Sequence, residues 1–415
     1  MFLNNYHHLK KKEIYAIILL VTFSFFARIP VIIIFGDTSL DNEWGVLVNN
    51  LIEHGTLAID YLNRNLLKYL LPNVLMPPLY AYYLYFFSIF NLEGQNYINL
   101  ILLSQIILAS ISVIVFYKIN KLFFSQKISF YSSLLFSLFP LHVFACSQIS
   151  SISLQICITI LFFYFFFQFI EKKNLISIIF FSFTAGLLIL LRGEFIAILA
   201  LSIVYLIIFF KVSIKNVLLI ILISVITISP YLIRNILVFE KVTITQSFGY
   251  NLWKGNNPNA TVEGTKKEEI DLLKRKKSIQ INKFYGINFD KVYLDKAIEY
   301  IKEEPARYLI LFVKKIMSFL LIDIRSSQPN YYNPLHYLPV LLIGVTSLIG
   351  IIISDKKSYK LNYLILIFFT NIFIFSVFFI LPRYKLIILP LQIIFTNILI
   401  KYINEKFFNK TKIVS

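Results

Sequence analysis

The stretch that decides the fold is residues 175–210, LISIIFFSFTAGLLILLRGEFIAILALSIVYLIIFF. Two apolar runs, 175–191 and 195–210, flank one charged break, Arg192-Gly193-Glu194. Neither run has the period-two alternation of a half-buried strand, and neither keeps a polar face for water. An α-helix rises 1.5 Å per residue, so about 20 apolar residues (range roughly 17–25) cross the hydrocarbon core of a bilayer. In lipid, only a helix or a closed barrel satisfies every backbone polar group. The runs therefore read as two membrane helices joined by a tight polar corner.

Working outward, comparable runs fall near 13–35, 97–117, 128–145, 152–170, 216–233, 336–353, 361–381 and 386–402. Two more, 78–92 and 306–322, are short or interrupted. Of the 415 residues, 58% are hydrophobic and only 15% are charged. A soluble fold could not bury that much apolar surface, so the chain is expected to be an all-α polytopic membrane protein. The formal charge of +18 falls largely on lysines in short loops. There it sets topology, and no nucleic-acid motif accompanies it. Cys146 and Cys157 show neither metal spacing nor a disulfide framework and read as buried, inert thiols.

The loop charges decide which runs cross. With Lys10, Lys11 and Lys12 in the cytoplasm, segment 36–77 lies outside. If 78–92 crossed, Lys118, Lys121, Lys127, Lys172, Lys173, Lys211 and Lys215 would all face outside, against the positive-inside rule. Holding 78–92 and 306–322 at the outer interface places these loops, and Lys356, Lys357 and Lys360, in the cytoplasm. The expectation is about ten crossings, ten to twelve helices with the interfacial pair. Residues 1–402 form one transmembrane domain with a first outer loop, 36–77, and a long outer loop, 234–305. Residues 403–415 form a cytoplasmic tail. An N-terminal basic cluster before an apolar run resembles a signal peptide, but the run is too long and lacks a small-x-small site, so it reads as an uncleaved helix.

Within the long loop, Val292, Leu294, Ala297, Ile298 and Ile301 recur near helical spacing and predict an amphipathic helix over 290–304, stopped by Pro305. Gly249, Gly255 and Gly264 are expected to let that loop bend.

Ionisable residues near membrane depth are costly and mark candidate sites. Asp37, Asp41 and Glu43 follow the first helix, and Arg192 and Glu194 interrupt two runs. Arg234 and Asn235 end another, and Arg383 and Lys385 separate the last two. Under this topology all meet at one face, acids from one loop and guanidinium groups from three others. Three carboxylates within seven residues repel one another unless cations stand nearby. On an extended segment Glu43 shares a side with Asp41. Simpler readings exist: Arg28 and Lys385 snorkel to headgroups, Arg192 and Glu194 form a local ion pair, His142 is a hydrogen-bonded core histidine, and Phe162 to Phe169 face lipid.

Several stretches, in order, carry a family resemblance. They are Asp41 with Asn50-Leu51, His54-Gly55 and Pro77-Pro78-Leu79-Tyr80; Leu191-Arg192-Gly193-Glu194; and Pro230-Tyr231-Leu232-Ile233-Arg234-Asn235. After these come Gly249-Tyr250-Asn251-Leu252-Trp253-Lys254-Gly255-Asn256-Asn257-Pro258 and Arg383-Tyr384-Lys385-Leu386. The pattern resembles bacterial membrane glycosyltransferases of the GT-C fold. These are related to protein O-mannosyltransferases and lipid A aminoarabinose transferases, the glycosyltransferase family 39 type. The chain departs from that pattern in having Asp41-Asn42 where Asp-Glu is common, and Trp44 or Gly45 in place of a tyrosine.

The resemblance implies a sugar donor on a polyprenyl phosphate, an acceptor lipid, glycan or protein, and transfer with inversion. The site would face the outer or periplasmic side of the cytoplasmic (inner) membrane. Asp41, with Glu43 or Asp37, would be the catalytic acids. Arg192, Glu194, Arg234, Asn235, Asn256, Arg383, Tyr384 and Lys385 would bind substrate. No cofactor is implied with certainty, although a divalent cation is compatible. Membrane lipids are partners and nucleic acid is not. The rival expectations are a transporter or flippase of lipid-linked glycans and an O-antigen-type polymerase or ligase. A transporter would need charges spread along a midplane path.

Overall fold

The computed structural model describes residues 2–62 and 68–408; Arg64 of the first loop and residues 409–415 of the tail lie outside them. The helix α1 (Phe2–Phe35) leads into α2 (Glu43–His54) and an antiparallel hairpin, β1 (Ala58–Leu62) and β2 (Lys68–Pro72), with Ala58 opposite Pro72. Then come α3 (Pro78–Phe86), α4 (Gly94–Asn120), α5 (Gln126–Leu138), α6 (Pro140–Ala145) and α7 (Ile152–Lys172). The decisive stretch forms α8 (Leu175–Leu191) and α9 (Phe195–Phe210), followed by α10 (Ile214–Phe239). The long loop carries α11 (Phe248–Asn256), α12 (Ile270–Lys277) and α13 (Tyr285–Glu303), and α14 (Pro305–Leu320) follows. The chain closes with α15 (Pro334–Ile352), α16 (Tyr359–Val377) and α17 (Lys385–Ile403).

Seven helices among the described residues are long and apolar enough to cross a bilayer, and α8 and α9 are shorter apolar helices. The protein is a multi-pass membrane protein. The expected crossing at 128–145 is not one helix. Phe139 adopts an extended conformation (φ −61°, ψ 120°) between α5 and α6, because the ring of Pro140 disfavours the helical region for the residue before it. Helix α3 has 9 residues, about 14 Å at 1.5 Å per residue, too short to span.

The helix ends sort into two groups. At one end, Lys121 pairs with Glu13 at 2.8 Å and Lys360 with Glu171 at 2.6 Å, joining α1 to α4 and α7 to α16. At the other, Asp37 N donates to Ser147 O at 2.9 Å and Gln148 Nε2 to Phe35 O at 3.0 Å. There the guanidinium of Arg192 also lies 4.9 Å from the Tyr384 ring centroid. The basic loops thus gather at one end and the candidate acids and arginine corners at the other.

Several local expectations are corrected. Phe162, Phe163, Phe166, Phe167 and Phe169 are buried rather than facing lipid: Phe166 stacks on Tyr363 of α16 at 3.8 Å. Arg28 does not snorkel. It is fully buried and donates to Ser24 O at 2.8 Å and Ser137 O at 3.0 Å, with His142 Nδ1 at 3.1 Å from Nη2. Lys385 is likewise buried and donates to Leu321 O. His142 is the hydrogen-bonded core histidine expected from the sequence. Cys146 and Cys157 are free and buried. The amphipathic helix expected over 290–304 begins five residues earlier, at Tyr285.

Candidate functional site

The acidic side of the site is built by a helix start that sequence reading took as extended. Asn42 caps α2 by accepting from Trp44 N at 3.0 Å and Gly45 N at 3.2 Å, satisfying donors that a helix leaves open. Glu43 is therefore the first residue of α2, and Asp41 lies in irregular chain just before the capping Asn42. Alternation along a strand does not relate them. Asp37 Oδ2 accepts the Ile149 N–H at 2.6 Å, which ties the end of α1 to the α6–α7 corner. Asp41 is exposed, and among the described residues its carboxylate has no hydrogen-bond or ion-pair partner. Glu43 pairs loosely with Lys266 at 3.9 Å.

The cationic side comes from the long loop and the α16–α17 corner. Helix α11 packs directly on that corner: a Cβ on Gly255 would lie 1.9 Å from Phe378 O, so only glycine fits. Gly249 makes a similar approach to Asp290 O, so these two glycines serve packing inside a helix rather than bending; Gly264, at φ +74°, does turn the chain. Ile380 N donates to Val262 O at 2.9 Å, fixing the two segments together. Lys254, on α11, places its ammonium 4.0 Å from the centroid of Phe379. Burial, then the like charges of Lys266 and Arg383, lower its pKa to about 8, while Glu43 acts in the opposite direction. Burial and the charges of Glu43 and Glu268 push the Tyr250 hydroxyl up to about 12. Glu43, Lys266 and Arg383 thus lie close enough for their charges to act on Lys254, and Glu43 on Tyr250 as well.

The other residues picked from sequence divide by how their polar groups are used. Arg383 is exposed and has no hydrogen bond or ion pair among the described residues, leaving its fork open. Arg192 pairs with Glu194 at 3.2 Å, lies over Phe375 and Tyr384, and keeps Nε without a partner among the described residues. Tyr384 packs against Phe375 and Phe379, forming an aromatic panel flanked by Arg192, Lys254 and Arg383. Arg234 is committed elsewhere: Nη1 donates to Asn73 O and Asn235 Oδ1, both at 2.7 Å, and Nη2 to Leu57 O at 2.9 Å. Asn235 is buried and donates to Thr243 O at 2.6 Å. Asn256 donates to Leu252 O and Val377 O and accepts from the buried Lys315. These three, with Lys385, stitch loops to helices rather than face the panel.

Lys254, Lys266 and Tyr250 were not singled out from sequence as site residues. The signal was present in Tyr250-Asn251-Leu252-Trp253-Lys254, where a lysine interrupts an aromatic and apolar turn. Among the described residues no three His, Cys, Asp or Glu side chains gather to hold a metal. Asp37 already accepts the Ile149 N–H through Oδ2.

Comparison with known proteins agrees with this architecture. Residues 76–233 match the family model described as dolichyl-phosphate-mannose-protein mannosyltransferase. The chain superposes on the apo oligosaccharyltransferase of Archaeoglobus fulgidus with a TM-score of 0.55 at 10% identity, over 97% of this chain and 51% of that one. The same enzyme tethered to an acceptor peptide gives 0.54 at 12% identity, over 96% and 50%. ArnT from Cupriavidus metallidurans, bound to undecaprenyl phosphate, gives 0.46 at 12% identity, over 92% and 76%. The chain thus spans about half the length of the oligosaccharyltransferase it matches. No curated protein matches its sequence. The chain is a polytopic membrane protein with the GT-C fold, and its residues 76–233 match the model of the dolichyl-phosphate-mannose-protein mannosyltransferase family.

Proposed function

We propose that the protein transfers a sugar from a polyprenyl-phosphate donor to an acceptor hydroxyl or amide at the end where its acids and arginine corners meet, on the outer side of the cytoplasmic membrane. The observation that carries this reading is the Asp41 carboxylate, without a polar partner among the described residues and two residues before Glu43, whose own carboxylate lies near Lys254 and Lys266. The matched family acts with a dolichyl-phosphate sugar, and a polyprenyl phosphate is the same donor chemistry.

For a hydroxyl acceptor the step balances simply. The acceptor oxygen attacks the anomeric carbon, and the bond from that carbon to the phosphate oxygen breaks. The electron pair leaves on polyprenyl phosphate, and the hydroxyl proton passes to Asp41. Negative charge grows on the leaving phosphate, so cations that hold it more tightly as it departs lower the barrier. Arg383, with an open planar fork, suits bidentate phosphate binding, and Lys254 adds a point charge. One direct displacement inverts the anomeric carbon.

The test is purified protein in nanodiscs with candidate polyprenyl-phosphate sugars and hydroxyl or peptide acceptors. Product of inverted anomeric configuration is expected, and product of retained configuration would refute the one-step displacement.

A further inference from the structure

Helix α13 has two working faces, and only one of them belongs to the site above. Asp290, Tyr293 and Ala297 are buried against α11: Asp290 Oδ1 accepts Tyr250 N–H at 2.8 Å, and Tyr293 lies 4.8 Å from Trp253. Asn288, Val292 and Asp295 recur at helical spacing on another stripe and line a notch of about 440 Å³ together with Arg275, Ile279 and Gln280. That volume lies within the range of small-molecule clefts, roughly 300–1,000 Å³.

We infer that this notch is a second binding site, one that takes the hydroxyl-rich face of a neutral saccharide. Among the described residues the side chains of Gln280, Asn288 and Asp295 have no hydrogen-bond or ion-pair partner, and all three line one concavity. Two amides and one carboxylate offer adjacent planar donors and acceptors, the pattern that vicinal hydroxyls match. Arg275 is oriented by Asp271 at 3.1 Å and Glu299 at 3.8 Å, so its remaining N–H groups are held in place. Ile279 and Val292 give an apolar floor for the C–H face of a sugar ring. Charge selects against simple ions, since an anion meets Asp295 and a cation meets Arg275. Neutral hydroxyls satisfy both. The site is carried by a helix whose opposite face is locked to α11, so a glycan held here sits one helix away from Tyr250 and Lys254.

The test uses the full chain in nanodiscs, free of glycoside detergents whose sugar heads would compete. A printed array of neutral and acidic oligosaccharides from bacterial envelopes is probed without any donor present, and hits are titrated in solution. Neutral oligosaccharides are expected to bind, with apparent affinity falling by about tenfold or more, roughly 1.4 kcal/mol, in the Gln280→Ala/Asp295→Ala double variant. Both positions are exposed, so the variant keeps the fold, checked by its elution profile. No binding on the array, or binding unchanged in the double variant, overturns the inference. So does binding restricted to acidic glycans and abolished by salt, which would assign the effect to exposed lysines such as Lys274 and Lys277. Because no transfer is measured, failure here leaves the transferase reading standing, and the reverse also holds.

Discussion

The ammonium of Lys254 stands 4.0 Å from the ring centroid of Phe379, joining the long loop to the corner between the last two helices. Its proton is held less firmly than that of a free lysine, because burial and the neighbouring Lys266 and Arg383 disfavour the charge. With a pKa of about 8, Lys254 is charged at pH 7 and loses its charge as pH rises through that value. If it binds donor phosphate, kcat/KM for the donor falls over that window, since this parameter reports the free enzyme. Lys254→Arg should keep kcat/KM level to higher pH. A wild-type profile that stays flat to pH 9.5 would remove Lys254 from the donor site.

The arginines should separate by how their forks are used. Arg383 is open, whereas Arg234 is spent on the carbonyls of Leu57 and Asn73. Arg383→Lys keeps charge but loses bidentate geometry, and a rise in donor KM of roughly tenfold is expected. Arg234→Lys should instead lower the apparent unfolding temperature by a few degrees, through loss of charge-assisted bonds of about 1.5–3 kcal/mol each before solvent screening. Its donor KM should not move. Equal effects of both substitutions on KM would contradict this division.

Among the carboxylates, Asp41→Asn keeps shape and removes basicity, so turnover should fall by roughly 10²–10⁴-fold. Asp37 already accepts the Ile149 N–H, a bond that the amide oxygen of asparagine can keep; Asp37→Asn should therefore cost turnover far less than Asp41→Asn. Glu43→Gln should do less than either. Near wild-type turnover in Asp41→Asn with loss in Glu43→Gln would move the base to Glu43.

Topology can be checked with introduced cysteines, because the native pair is buried. Cysteines at Lys127, Lys173 and Lys357 are expected to resist an impermeant reagent in intact cells, and one at Lys266 to react. Labelling of all four from outside would break the assignment of the site to the outer face.

How much of this was legible depended on whether the information was local. Apolar length marks membrane helices one segment at a time, so most runs were found, as was the helix beginning at Tyr285. Pro140 carried a local signal for the broken segment, yet the apolar run around it masked the break. Which face of an apolar helix meets protein rather than lipid is not written in composition, and for this reason the Phe162–Phe169 run was misjudged. The placing of the acids and arginine corners at one end of the helices followed from topology alone. The separation of Arg383 from Arg234 did not, because it depends on carbonyls of Leu57 and Asn73, more than 150 residues away in the chain. Lys254 was hidden for the same reason, its role being set by Phe379 and Arg383.

The most direct test of the central claim follows the release of free polyprenyl phosphate from a panel of polyprenyl-phosphate sugars, with wild-type protein and the Asp41→Asn and Lys254→Ala/Arg383→Ala variants side by side. The account predicts release by the wild type with at least one sugar, and its loss in both variants while the proteins remain folded. Release that persists in both variants would place the chemistry elsewhere in the molecule, and no release with any sugar and acceptor tried would contradict the transferase reading itself.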